Sequence, residues 1–174
     1  MTRASRLISR RLRKKSAGSG LGGWIPMTLN LRPEDILLHV QANSCEEVLR
    51  LVSSHLLEEG KVKQSYEEHL VDREREYPTG LALGRFNVAI PHTDYQYANT
   101  TQLRVAILEK PVEWHNMEDS DETIPVRAVI LSVFDKPEHQ IEALQQIMSV
   151  LQNQELVARI IASDSAQQVI EFFD

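Results

Sequence analysis

Only one cysteine, Cys45, occurs in the 174 residues, so no internal disulfide can staple the fold, and a reducing cytoplasm suits such a chain. No apolar run approaches the roughly 20 residues that span a bilayer. The nucleotide-phosphate signature G-x-x-x-x-G-K-S/T is missing; Gly60-Lys61 lacks both the upstream glycine and the following hydroxyl residue. There is no H-E-x-x-H and no Cys/His pairing, which removes the usual zinc sites, and no G-x-S-x-G to support an acyl-transfer nucleophile. Neither metal nor cofactor is therefore expected, and no internal repeat is visible.

Acids are absent from residues 1–27, where Arg3, Arg6, Arg10, Arg11, Arg13, Lys14 and Lys15 supply a charge of +7. The whole chain carries −6, so the remainder holds −13. An acidic body repels phosphate backbones, which argues against nucleic-acid binding and favours a partner with a basic or neutral docking face. The leader itself is basic and then glycine-rich, with too little apolar content to fold. It resembles a transit peptide in composition, whereas Arg10-Arg11 lacks the apolar segment of a twin-arginine signal. Gly18, Gly20 and Gly23 fit G-x-G-x-x-G, but no strand precedes them and no helix follows. Residues 1–27 are expected to be a disordered extension. Met27 opens MTLNLRPED like a domain start, which suggests an upstream start codon, and 28–174 reads as one domain.

Within that domain Ile36–Val40 reads as a buried strand. Ser44 and Glu47 then form a capping box for a helix with Val48, Leu51, Val52, His55 and Leu56 facing the core, ended by Gly60. His55 is expected to be a packed core histidine. Cys45 could be an activated thiol at the helix start, but a small buried residue beside a cap is the better expectation. A second helix over 64–76, stopped by Tyr77-Pro78, carries Tyr66, His69, Leu70 and Arg73 inward. An arginine on an apolar stripe either pairs with an acid or points into a pocket.

Phe86–Ile90 reads as a strand that ends at Pro91, which has no N–H to donate, and this leaves His92 at its exit on a rigid base. Strands follow at Leu103–Leu108 and Val126–Phe134, with Pro111–Trp114 as an edge piece between them and His115–Thr123 as a mobile acidic loop. The DKPEHQ segment starts a helix with Ile141, Leu144, Ile147, Met148 and Leu151 on its core face. Short helices are expected near 155–161 and 165–173. One strand, two helices, several strands and then helices describe an α/β sandwich with a mixed sheet.

Strand-end loops in α/β sheets gather where ligands bind. His92 and His139 both follow strands, and Arg73 lies just before the Pro78-Thr79-Gly80 loop, so all three could share one mouth. Such a set suits a phosphoryl group: one imidazole attacks phosphorus, the guanidinium offers a forked donor, and the second imidazole adds a hydrogen bond. His39 and His115 have no partner that the sequence identifies.

VKQSYEEHLVDREREYPTG (62–80), VAIPH (88–92), Pro111–Trp114 and PEHQ (137–140) together resemble the fructose/mannitol-type enzyme IIA of the bacterial sugar phosphotransferase system, from about Glu34 to the C-terminus. The resemblance implies a three-layer α/β/α sandwich with a mixed sheet. It also implies that His92 accepts phosphate from the phosphocarrier HPr and passes it to a cysteine of enzyme IIB, which serves the membrane enzyme IIC. Arg73 and His139 would orient and neutralise the phosphohistidine, with no cofactor. Thr93-Asp94 stands after His92 where many members carry glycine, and together with the Gln-rich helix this is more similar to the galactitol-type branch. A free-standing subunit is expected. The alternatives are a regulatory nitrogen-type enzyme IIA and a phosphorylation-controlled module of a transcriptional regulator.

Overall fold

Successive strand residues face opposite sides of a sheet, and here both sides are apolar. Ala106, Leu108, Val129 and Leu131 belong to one hydrophobic cluster, while Val105, Ile107, Ala128 and Ile130 belong to another. A sheet with two greasy faces needs a helical layer on each, which is what the computed structural model of residues 30–173 contains. The strands are β1 (Ile36–Val40), β2 (Gly80–Leu81), β3 (Asn87–Ala89), β4 (Gln102–His115) and β5 (Thr123–Val133). The helices are α1 (Cys45–Glu58), α2 (Tyr66–Glu76), α3 (Pro137–Leu151), α4 (Gln154–Ile161) and α5 (Ala166–Ile170). Helices α1 and α2 cover the first face; α3, α4 and α5 cover the second. Strand order is β1-β4-β5-β3-β2, with β1/β4 and β3/β5 parallel and β4/β5 and β2/β3 antiparallel. The expected α/β/α sandwich with a mixed sheet is therefore the architecture found. The expectation for residues 1–27 lies outside the described residues.

Ser44 caps α1 by accepting from the Glu47 amide at 3.2 Å, but Glu47 reaches past it to the Asn43 amide at 2.7 Å. Gly60 follows the helix at φ 69°, a conformation that costs glycine little. The inward stripes of both helices differ from expectation by one step. In α1 the buried set is Val48, Leu49, Val52, Ser53 and Leu56, so Leu51 faces outward and His55 is half-buried rather than core. In α2 it is Tyr66, Leu70, Val71 and Glu74, while His69 lies exposed and stacks on Tyr97 with ring centroids 3.8 Å apart. Along α3 the buried residues are Ala143, Ile147 and Leu151, and Ile141 is 63% exposed.

Pro111–Trp114 is not a separate edge piece. It continues β4, which pairs with β5 through Val112↔Val126 to His115↔Thr123, across an irregularity between Ile107 and Val112 that accommodates the missing proline N–H. The segment after it is likewise no free loop. Asn116 donates to Glu122 through both its backbone and side-chain amides, His115 Nδ1 lies 2.8 Å from the Ser120 carbonyl oxygen, and the Met117 amide donates to Gly80 O at 2.7 Å. This docking explains Gly80: a Cβ there would stand 2.5 Å from the His115 carbonyl oxygen. Gly80→Ala should therefore lower unfolding stability by about 2 kcal/mol in a urea titration, within the usual range for overpacking. A loss under about 0.5 kcal/mol would show that the hairpin yields freely.

Candidate functional site

His92 is held by the chain on both sides. The Ile90 amide donates to Thr79 O at 3.2 Å, and Pro91 O accepts from the Ser132 amide at 3.1 Å, so the exit from β3 is fastened to the loop before β2 and to β5. The ring stands edge-on to Phe134, centroids 6.4 Å apart. His92 Nδ1 lies 3.0 Å from the Ile90 carbonyl oxygen. A carbonyl can only accept, so Nδ1 carries the proton and Nε2 keeps its lone pair. Burial holds the imidazole pKa below its ordinary value; Arg73 adds to this, while the Ile90 carbonyl and Asp94 oppose it. The balance favours a neutral ring, the form that can attack an electrophile.

Arg73 and His92 line one open cleft of about 460 Å³, with Glu76, Tyr77, Pro78 and Thr79 on one wall and Met117, Glu118 and Ser120 on the other. Among the described residues no carboxylate comes within 4 Å of the Arg73 guanidinium, whose Cζ lies 5.7 Å from the Tyr77 ring centroid. Of the two alternatives for this arginine, the pocket is the one the structure contains. The wall formed by Met117, Glu118 and Ser120 was missed in the sequence, where the segment reads as loop.

Glu74, next in the chain, supports the cleft from behind. It is 5% exposed and accepts from the Thr79 amide (2.7 Å), the Thr79 hydroxyl (2.8 Å) and the Trp114 indole N–H (2.7 Å). Burial raises its carboxyl pKa above the usual range, and the three donors pull it back down. One side chain thus ties α2 to the Pro78-Thr79-Gly80 loop and to β4. Its signal in the sequence is faint: a buried tryptophan needs an acceptor, and Glu74 lies four residues beyond Leu70.

His139 sits apart from the residues that line the cleft. It follows β5 at the first turn of α3, where its Nδ1 lies 3.1 Å from Asp135 Oδ1 and 3.0 Å from Thr101 Oγ1. Thr101 immediately precedes β4, whose first residue Gln102 pairs with Val133; His92 pairs with Ser132. All three positions therefore lie at one end of the sheet, with Phe134 between the two histidines in the chain.

Cys45 is no activated thiol. Burial, with Glu74 and Glu46 adding to it, pushes its pKa up to about 12, which matches the packed reading. His39 pairs with Glu109 at 3.2 Å on the surface, so both histidines left without partners in the sequence have local ones. Among the described residues no cluster of three or more His, Cys, Asp or Glu could hold a metal ion, and no helix is long and apolar enough to cross a membrane.

Residues 30–174 match the family model "Phosphoenolpyruvate-dependent sugar phosphotransferase system, EIIA 2". The chain belongs to this EIIA family. As an EIIA it is a phosphotransferase component of a sugar phosphotransferase system. The galactitol-specific EIIA component of Escherichia coli K12 is 27% identical over 121 residues, covering 70% of this EIIA and 80% of that protein. The mannitol-specific enzyme IIA component of Halalkalibacterium halodurans is 28% identical over 145 residues, covering 82% and 92%. The crystal structure of the Escherichia coli mannitol IIA superposes with a TM-score of 0.68 at 24% identity, covering 83% of this EIIA and 99% of that chain. The same enzyme in complex with phosphorylated mannitol IIB gives 0.70 at 24%, covering 82% and 96%. These structural neighbours share the fold.

Proposed function

We propose that this EIIA accepts a phosphoryl group on Nε2 of His92 from phospho-HPr and passes it to a cysteine of an enzyme IIB in the cytoplasm. The observation that carries this reading is the commitment of His92 Nδ1 to the Ile90 carbonyl, which leaves Nε2 as the available nucleophile in the Arg73 cleft. In the first step the Nε2 lone pair forms an N–P bond while the donor's N–P bond breaks and its electron pair returns to the donor imidazole. In the second, the enzyme IIB thiolate attacks phosphorus and the Nε2–P bond returns its pair to His92. Arg73 donates to the phosphoryl oxygens in both steps, and His139 offers a further hydrogen bond. No group other than the two exchanging nucleophiles and these donors is required, because phosphoryl transfer depends chiefly on positioning and charge stabilisation.

The test is to phosphorylate the protein with phospho-HPr and locate the phosphate by 31P and 15N NMR. Acid-labile label on His92 Nε2 supports the reading; label on Nδ1, on another residue, or nowhere defeats it. Arg73→Ala should slow transfer about a hundredfold with an unchanged unfolding midpoint, and Arg73→Lys should recover part of that loss. Wild-type rates for both would remove Arg73 from the site.

The sugar we favour is galactitol or a related hexitol. The His92-Thr93-Asp94 sequence and the glutamines of α3 support it, as does the similarity to the galactitol-specific component. A galactitol-type enzyme IIB should then discharge the phosphoprotein faster than a mannitol-type one; the reverse order would reassign the sugar.

A further inference from the structure

We infer that Thr101 and Asp135 are positioning residues for His139, which they lock with Nδ1–H inward and Nε2 facing out. The assignment of protons follows from the donors available. Asp135 is held below the usual carboxylate range, first by the Thr101 hydroxyl and also by His139, so it is ionised and can only accept. Thr101 gives its single hydroxyl proton to Asp135 Oδ1, and its oxygen accepts from the Asp135 amide at 3.1 Å. Neither Thr101 nor Asp135 then has a proton left to offer the ring. The contacts of His139 Nδ1 at 3.0 Å to Thr101 and 3.1 Å to Asp135 are hydrogen bonds only if Nδ1 itself carries the proton.

The consequence is that both histidines at this end of the sheet present the same nitrogen. His92 spends Nδ1–H on a backbone carbonyl, and His139 spends it on a carboxylate and a hydroxyl. The different acceptors give the two rings different work. A carbonyl leaves His92 a neutral nucleophile, whereas an ionised carboxylate compensates the positive charge of His139 when that ring carries a second proton. In that state Nε2–H donates to a phosphoryl oxygen on His92, and Asp135 answers a further need. The ring lies in the first turn of α3, where the helix dipole opposes a positive charge that the carboxylate offsets. Phe134, which stands against His92, directly precedes Asp135, so the clamp and a ring contact of His92 are adjacent residues of one segment.

This inference rests on the phosphoryl relay proposed above, and its test separates the two. In 15N NMR of the unphosphorylated wild-type chain, His139 should show a protonated Nδ1 and a bare Nε2. The Thr101→Val/Asp135→Ala double variant should revert to a mixture of tautomers. With phospho-HPr as donor and enzyme IIB as acceptor, the same variant should transfer about tenfold more slowly in kcat, with KM for phospho-HPr within about twofold of wild type. With Asp135 returned and Thr101→Ser in place, which keeps the hydroxyl, both readouts should recover. If the wild-type ring carries its proton on Nε2, or if the double variant transfers at the wild-type rate, the clamp has no such role. If phospho-HPr leaves no phosphate on His92, the relay fails and the role of the clamp fails with it, whatever the tautomer shows.

Discussion

His92→Ala should lose at least about a thousandfold in the rate of phosphoryl uptake from phospho-HPr, as expected when a nucleophile is removed while the binding surface stays. The stability change should be small. The side chain gives up one hydrogen bond to Ile90 O, worth about 1 kcal/mol, and one edge contact with Phe134. The backbone bonds Ile90–Thr79 and Ser132–Pro91 do not involve the ring, so the mount survives the substitution. His139 should not substitute, because it does not line the Arg73 cleft and its ring is paired with an ionised carboxylate rather than a backbone carbonyl. Stoichiometric acid-labile phosphate on the variant would overturn the assignment of the nucleophile.

The pH dependence of wild-type uptake follows from the same geometry. The attacking form is neutral, so the rate rises as pH climbs through the imidazole pKa in the fold. Burial, with Arg73 in support, places that pKa below the ordinary imidazole value. The half-rise of uptake should therefore fall at a lower pH than the value of about 6.5 ordinary for a free imidazole, with the decline lying on its acid side. A half-rise at or above the free-imidazole value would mean that the ring is not desolvated as the structure has it.

Local patterns made much of the scaffold legible. Apolar runs marked strands at Leu103–Leu108 and Val126–Phe134, the order of strands and helices pointed to a sandwich with a mixed sheet, and Pro91 marked a strand exit that leaves His92 at its end. What escaped was set by residues distant in sequence. A helix stripe read from spacing alone can rotate by one position, and that spacing put Arg73 rather than Glu74 on the inward face. The acid is inward because Trp114, 40 residues on, supplies a donor that no local window contains. The clamp on His139 likewise depends on Thr101, 38 residues earlier. Pro111–Trp114 read as an edge piece between two strands, yet β4 passes through it with an irregularity. Once β4 is continuous, the acidic segment after it becomes a hairpin tip that docks on Gly80 and walls the cleft. The exposed position of His92 at a strand exit was thus legible from its own neighbours, while the residues that support it were visible only in three dimensions.

Glu74 is the support with the largest expected effect on stability. Glu74→Ala removes the acceptor for two buried N–H groups, the Trp114 indole and the Thr79 amide, and leaves the Thr79 hydroxyl without its partner. Each unsatisfied buried donor costs about 1–3 kcal/mol, so a loss of about 3–4 kcal/mol is expected by urea denaturation. Glu74→Gln separates hydrogen bonding from charge. Its carbonyl can accept from both N–H groups and its amide can donate to the Thr79 oxygen, so its cost should be about 1 kcal/mol or less. The sign of its pH dependence follows from the raised pKa of Glu74. A carboxyl whose folded pKa lies above its unfolded value stabilises the fold fully below the unfolded pKa, and that stabilisation is lost as pH rises through the folded value. Glutamine does not titrate, so the gap between wild type and Glu74→Gln should be wider at low pH and should narrow as pH rises. A gap that widens instead would mean that the three donors outweigh burial and that the carboxylate is the preferred form. Because Thr79 O also receives the Ile90 amide, Glu74→Ala should slow phosphoryl uptake even under conditions where the protein remains folded, by loosening the base on which His92 stands.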